Sequence, residues 1–280
     1  MNELQIFFNS RQEANINKWS NYFAIYERYF SRFRNRPVHF LEIGVDRGGS
    51  SQMWKHYFGK DALIVGIDIC PECKKFENRT ENRFIEIGDQ SDPEFLRRLI
   101  DKYHYFDIIL DDGSHFSHHQ IKSFEILWSA VSDSGIYMVE DVHTSYYLTY
   151  DGWVGKGDTF IEYAKKIIDD IFLWHRVDSR GNDMLKKSLQ GISFHSGIVV
   201  FEKAQVQEPY SARSGHSPAF RASEEALLSA EYVKKASSLR RLLWKFKYVF
   251  FQITRNQVKA TLYKGQLEAW NILHKSSAKN

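Results

Sequence analysis

The chain has 280 residues, 43% of them hydrophobic and 26% charged, an ordinary globular composition with room for one main domain and appendages. A net charge of +3 hides an asymmetry: from Tyr232 onward eleven Lys/Arg face the single acid Glu268, which leaves seven net negative charges on the first 231 residues. The polar N-terminus shows no leader, no apolar run reaches the length of a membrane span, and Cys70 and Cys73 alone make no disulfide framework, so a cytoplasmic location is expected.

Residues 17–34 place Trp19, Tyr22, Phe23, Tyr26, Tyr29, Phe30 and Phe33 at helical spacing, which predicts an aromatic-faced helix. Val38–Val45 reads as a buried strand. Gly48-Gly49-Ser50-Ser51 then opens a helix, with the serines suited to its N-cap. Further strands are expected at Leu63–Ile69, Arg83–Ile87, Phe106–Leu110 and Ile136–Val139. Helices are expected at Pro93–Tyr103, Gln120–Ala130 and Thr159–Ile171. His175–Asp178 and Ser196–Glu202 complete seven strands. Strands alternating with helices at this spacing predict a parallel, doubly wound, Rossmann-like α/β sheet. The expected organisation is a helical cap at 1–35, a catalytic domain at 36–203, a linker at 204–231 and a basic, aromatic, helical tail at 232–280.

Chemistry gathers where the apolar runs stop. The fourth strand ends in Asp111-Asp112-Gly113-Ser114-His115 and the fifth in Glu140-Asp141, followed by His143. Ligands of open α/β sheets bind beyond the carboxyl ends of the strands. If these two strands are neighbours, their acids and histidines meet at one site, dense enough for a divalent cation and a base. Gly44, Gly48 and Gly49 give a G-x-x-x-G-G turn, which departs from the dinucleotide fingerprint. Asp68 and Asp89 end the next two strands, where acids grip a ribose or an adenine amino group. Three such elements in chain order favour adenosine binding over plain turns.

Glu42-Ile-Gly-Val, Gly66-Ile-Asp-Ile and Ile87-Gly-Asp-Gln-Ser-Asp92 resemble the cofactor loops of class I S-adenosylmethionine-dependent methyltransferases. The stretch from Asp111-Asp-Gly-Ser-His115 through Glu140-Asp-Val-His-Thr-Ser-Tyr146 resembles the metal-dependent sugar O-methyltransferases that tailor macrolides. It also resembles their relatives described as cephalosporin hydroxylases or rhamnosyl O-methyltransferases. The resemblance covers roughly residues 17–203. It implies S-adenosylmethionine held by Glu42, Gly44, Ser50, Asp68, Asp89 and Gln90, and Mg2+ held by Asp112, Glu140 and Asp141. It implies His115 as general base, with Asp111 facing the cofactor sulfur or stabilising the turn. His118, His119 and His143 compete for the base's role, and His143 and Tyr146 are placed at the substrate. The N-terminal segment of similar enzymes serves as lid or oligomer contact, which brings Lys18, Trp19 and Tyr22 towards the site.

The activity so implied is magnesium-dependent methyl transfer to a sugar hydroxyl of a glycan or glycosylated natural product. A catechol-type O-methyltransferase and a non-catalytic glycan- or nucleotide-binding module are the rivals. Cys70-x-x-Cys73 lacks the second pair that structural zinc needs. The tail at 239–253 fits a membrane surface or a sister subunit of a homo-oligomer, and the acidic body argues against nucleic acid. The basic tail tilts the substrate towards a surface polysaccharide made at the inner membrane face.

Overall fold

A computed structural model of the chain describes residues 2–10, 15–176, 181–212 and 214–215. The expected tail at 232–280 and most of the linker lie outside the described residues. The chain divides after Pro209, and everything below concerns the unit before that point.

Seven strands form one sheet: β1 (His39–Ile43), β2 (Leu63–Asp68), β3 (Arg83–Ile87), β4 (Phe106–Asp111), β5 (Val131–Val139), β6 (Leu189–His195) and β7 (Ile198–Lys203). Their order is β3-β2-β1-β4-β5-β7-β6. The first five run parallel, as expected, and β4 and β5 are neighbours. The last two depart from an all-parallel sheet, because β7 pairs antiparallel with both β5 and β6. The cause is local. Ser196-Gly197 is a two-residue hairpin turn with Gly197 at φ +85°, not the start of a strand. The strand expected at His175–Asp178 is also corrected. Leu173–His175 forms a 3-10 turn, 177–180 lie outside the described residues, and the sixth strand is the edge strand Leu189–His195.

The central strands are apolar on both faces because helices cover both. Leu41, Ile43, Val65, Ile67 and Ile109 point to one core, shared with α4 (Pro93–Tyr103), α5 (Ser117–Leu127) and α6 (Phe160–Ile171). Phe40, Ile64, Ile108, Leu110 and Met138 point to the other, shared with α1 (Glu3–Ser10), α2 (Tyr22–Phe30) and α3 (Gly49–Phe58). This alternation is the period-2 pattern of a strand buried on both sides. α2 buries Tyr22, Phe23, Ile25, Tyr26, Tyr29 and Phe30, so the aromatic face is a wall of this second core. At α4, Asp92 accepts from the Glu94 N–H and Pro93 occupies the first turn, a strong start signal in the sequence.

The serine cap expected for α3 is not what forms. Gly48 holds the N-cap position at φ +73° with no side-chain bond to the helix end. Ser50 and Ser51 fall inside the helix, where Ser50 donates to Glu42 and Ser51 to the Gly48 carbonyl. The α5 helix begins three residues before its expected start, which puts His118 and His119 in its first turn.

Strand order reverses between β1 and β4, and at such a switch point the loops diverge and leave a crevice. Gly44 leaves β1 at φ +94°, and a Cβ there would lie 2.2 Å from the carbonyl oxygen of Asp112. Only glycine lets the loops after β1 and β4 approach this closely.

Candidate active site

A cavity of about 700 Å³ opens beyond the carboxyl ends of β1 to β4. Its size suits a small organic ligand. Gly44, Ser50, Asp68, Asp89 and Gln90 line it, together with Asp112, His115 and Asp141. Glu42 does not. It is fully buried below the cavity, where one oxygen accepts from Ser50 and the other from the Trp54 indole at 2.8 Å each. Burial pushes its carboxyl up to about 7.

The acids of the cofactor half hold backbone. One oxygen of Asp68 accepts from Val45 N–H at 2.8 Å and Asp46 N–H at 3.1 Å, and the other from Cys70 N–H at 2.8 Å. It therefore ties the loop after β1 to the loop after β2. Asp89 accepts from the N–H and the hydroxyl of Ser91, and these bonds hold it below the usual carboxylate range. Gln90 is nearly buried. Its amide nitrogen donates to Asp111 at 3.2 Å and to Ser123 at 3.1 Å, and its oxygen accepts from Ser114 N–H at 2.7 Å. Its side chain thus stabilises the turn after β4. Asp111 is completely buried by that turn, and burial pushes its carboxyl up to about 7.

The ends of β4 and β5 are built differently. Asp112, His115 and Asp141 each offer a ligand atom, and these atoms all lie within 4.8 Å of one another. His115 Nε2 is 3.6 Å from Asp141 Oδ2. His115 and Asp141 both have left-handed backbones, at φ +61° and +51°, conformations that cost energy and cluster at functional sites. Thr144 donates to the His115 carbonyl at 3.0 Å and to the Asp141 carbonyl at 2.7 Å, bracing both turns. Glu140 lies deeper and is 1% exposed. Burial and the neighbouring Asp112 raise its carboxyl to about 8.

Three groups from the N-terminal segment close on these acids. Tyr22 donates to Asp141 Oδ1 at 2.6 Å, and Tyr26 donates to Glu140 Oε1. Lys18 donates to Asp112 Oδ2 and, at 3.0 Å, to Glu140 Oε2. The Lys18 side chain is 2% exposed. Burial opposes its charge, yet Asp112, Glu140 and Glu42 outweigh burial and hold the ammonium above the usual lysine range. Trp19 sets its ring edge-on to His143, with centroids 5.6 Å apart. Lys18, Trp19 and Tyr22 thus reach the site, as the sequence led us to expect. Tyr26 was overlooked, although its spacing of four from Tyr22 puts both hydroxyls on one helical face.

Of the competing histidines, His118 is exposed on α5. His119 lines the cavity and pairs through Nδ1 with Ser114 Oγ at 2.8 Å, and burial lowers its pKa. His143 Nδ1 is 4.0 Å from Asp141 Oδ1, between Trp19 and Tyr147. His115 Nδ1 is buried without a hydrogen-bond partner. Tyr146 sits at the end of a 3-10 turn, 46% exposed and outside the cavity lining.

Asp112 and Asp141 open to the cavity as hard oxygen donors on two adjacent strand ends, whereas Glu140, the third expected ligand, is buried, does not line the cavity and is not in the group that meets within 4.8 Å. This donor set suits magnesium, which prefers oxygen and keeps positions for water or substrate. No protein-family model matches the chain. It is 33% identical over 202 residues to the 8-demethyl-8-(2-methoxy-alpha-L-rhamnosyl)-tetracenomycin-C 3'-O-methyltransferase of Streptomyces olivaceus, which covers 68% of this chain and 51% of that protein. It is 38% identical over 156 residues to the demethylmacrocin O-methyltransferase of Streptomyces fradiae, covering 52% of this chain and 38% of that one. The solved MycE methyltransferase of the mycinamycin pathway, in complex with Mg, SAH and mycinamycin VI, is similar with a TM-score of 0.63. That match has 30% identity and covers 72% of this chain and 53% of MycE.

The relatives place the chain in the family of class I S-adenosylmethionine-dependent methyltransferases, whose sheet order and strand-end loops it shares. Within that class the chain is a homologue of the sugar O-methyltransferases of macrolide and tetracenomycin glycosides. It spans about half the length of the curated relatives it matches. Among the described residues, no helix is long and apolar enough to cross a membrane.

Proposed function

We propose that the chain is a magnesium-dependent O-methyltransferase acting on a sugar hydroxyl of a glycosylated natural product. The observation that carries this reading is the meeting of Asp112, His115 and Asp141 on the wall of one cavity with the Gly44, Asp68 and Asp89 loops. The names of the relatives support a glycosylated polyketide as acceptor. A polysaccharide acceptor rested on the basic tail, which lies outside the described residues.

Asp112, Glu140 and Asp141 would hold a divalent ion, which when bound would lower the pKa of the acceptor hydroxyl, and bound S-adenosylmethionine would supply the methyl group on a good leaving group. The rest falls to the chain. Asp68 and Gly44 shape the loops against which the adenosine end lies. Asp112 and Asp141 fix the acceptor edge of the cavity, and Tyr22 and Tyr26 keep the acids from rotating. His115 Nε2 faces the same edge, beside Asp141, and takes the hydroxyl proton. Alignment of acceptor oxygen with the methyl carbon supplies most of the remaining acceleration.

The catechol reading is weaker here. Lys18, beside the acids, is committed to Asp112 and Glu140, whereas His115 lines the cavity with Nε2 beside Asp141. The test is labelled methyl transfer from S-adenosylmethionine to a panel of glycosylated polyketides, their aglycones and catechols. The reading expects label on the sugar of one or more glycosides, with loss on chelation and recovery on adding magnesium. Label on catechols or aglycones only would contradict it.

A further inference from the structure

Lys18 bonds two of the three carboxylates that the metal reading uses. Tyr26 takes Glu140 Oε1 and so turns Oε2 towards the cavity side, where Lys18 Nζ meets it at 3.0 Å. The same ammonium bonds Asp112 Oδ2. Lys18 thus bridges two of the three acids from a buried position. A magnesium ion binds carboxylate oxygens at about 2.0–2.1 Å, closer than an ammonium approaches, so an ion on these two oxygens would sit against the Lys18 ammonium, where two like charges repel.

Lys18 is also the anchor of a short irregular segment. Residues 15–19 precede α2 without regular structure, and Asn15, Ile16, Asn17 and Lys18 line the cavity. Asn15 and Ile16 press on Gly49 at the start of α3, where a Cβ would come within 2.5 Å of the Asn15 carbonyl oxygen. The segment's contacts with the acids run through Lys18.

We propose that Lys18 is a tethered competitor of the divalent ion. Its ammonium holds Asp112 and Glu140 together in the metal-free protein, and entry of the ion displaces it and releases residues 15–19 from the acids. The inference rests on the metal-site reading above and adds a cost of metal binding that lies in this chain's own N-terminal segment. An acid pair held by a built-in cation keeps its geometry without metal, but the ion must outcompete a neighbour already at the site.

The test is calorimetric titration of magnesium into the wild-type chain, Lys18→Met and Lys18→Arg, with thermal melting to verify folding. Lys18→Met should bind magnesium at least about tenfold more tightly, since a buried competitor charge is gone. Its melting temperature should also rise more steeply with magnesium than that of the wild type. Lys18→Arg keeps the charge and should stay near wild-type affinity. Lys18→Gln carries the same expectation as Lys18→Met and replaces it if that variant does not fold. Hydrogen exchange of residues 15–21 should quicken when magnesium is added to the wild type and stay unchanged in the methionine variant. Measurable but equal or weaker affinity in Lys18→Met, or equal tightening in Lys18→Arg, would overturn the competitor role and leave the metal site standing. Failure of every variant to bind magnesium would overturn both.

Discussion

The two halves of the cavity use their carboxylates in opposite ways. In the cofactor half, Asp68 and Asp89 spend their oxygens on backbone N–H groups and a serine within a few tens of residues. In the half proposed to take the metal, Asp112, Glu140 and Asp141 are held by side chains of the N-terminal segment, about a hundred residues away in sequence. The first half is fixed once each loop has formed. The second also needs the docked helix α2, whose Tyr22 and Tyr26 hold Asp141 and Glu140. Cofactor binding and metal binding should therefore fail separately.

Asp112→Ala is the largest expected break. It should abolish metal-dependent turnover and leave S-adenosylmethionine binding close to wild type, as read by calorimetry with each ligand in turn. Turnover that survives and ignores chelator would remove Asp112 from the metal site. His115→Ala comes next. Turnover should fall by about 10²–10⁴-fold, the range for a lost general base, while both ligands still bind. If His143→Ala gives that phenotype instead, the base has been misassigned.

Tyr26→Phe probes the long-range support itself. It removes one hydroxyl from a buried carboxylate, and magnesium affinity should drop by about 10–100-fold, as for other groups that orient metal ligands. Cofactor affinity should not change. A parallel loss of both would mean that the helix merely destabilises the whole unit. Asp68→Ala sharpens the other side. It releases the three backbone N–H groups that tie the loop after β1 to the loop after β2, so S-adenosylmethionine affinity should weaken by about 1–2 kcal/mol, with magnesium binding unaffected.

The same division explains what the sequence revealed. The strands β1 to β5 and the acids at their ends are legible because each is a local apolar run stopped by a carboxylate or glycine. The roles of Glu42 and Gln90 were not legible. Both sit in the cofactor loops, yet their partners Trp54, Asp111 and Ser123 are fixed by packing, and packing turns Glu42 away from the cavity and the Gln90 side chain into the turn after β4. The edge strand β6 reads Leu-Gln-Gly-Ile-Ser-Phe-His, half-exposed along its length, and such a strand leaves little periodicity to detect. Lys18 was visible as a neighbour of the site. That its charge bridges Asp112 and Glu140 depends on a contact spanning 94 and 122 residues, which no local pattern encodes.

The most direct measurement is S-adenosylmethionine binding and methyl transfer to a glycoside acceptor on one preparation, first with chelator and then with magnesium restored. The account predicts that chelation leaves cofactor affinity nearly unchanged while methyl transfer stops, and that magnesium brings transfer back. Cofactor binding lost with the metal, or transfer that continues in chelator, would contradict two separately built halves and the metal-dependent chemistry assigned to the second.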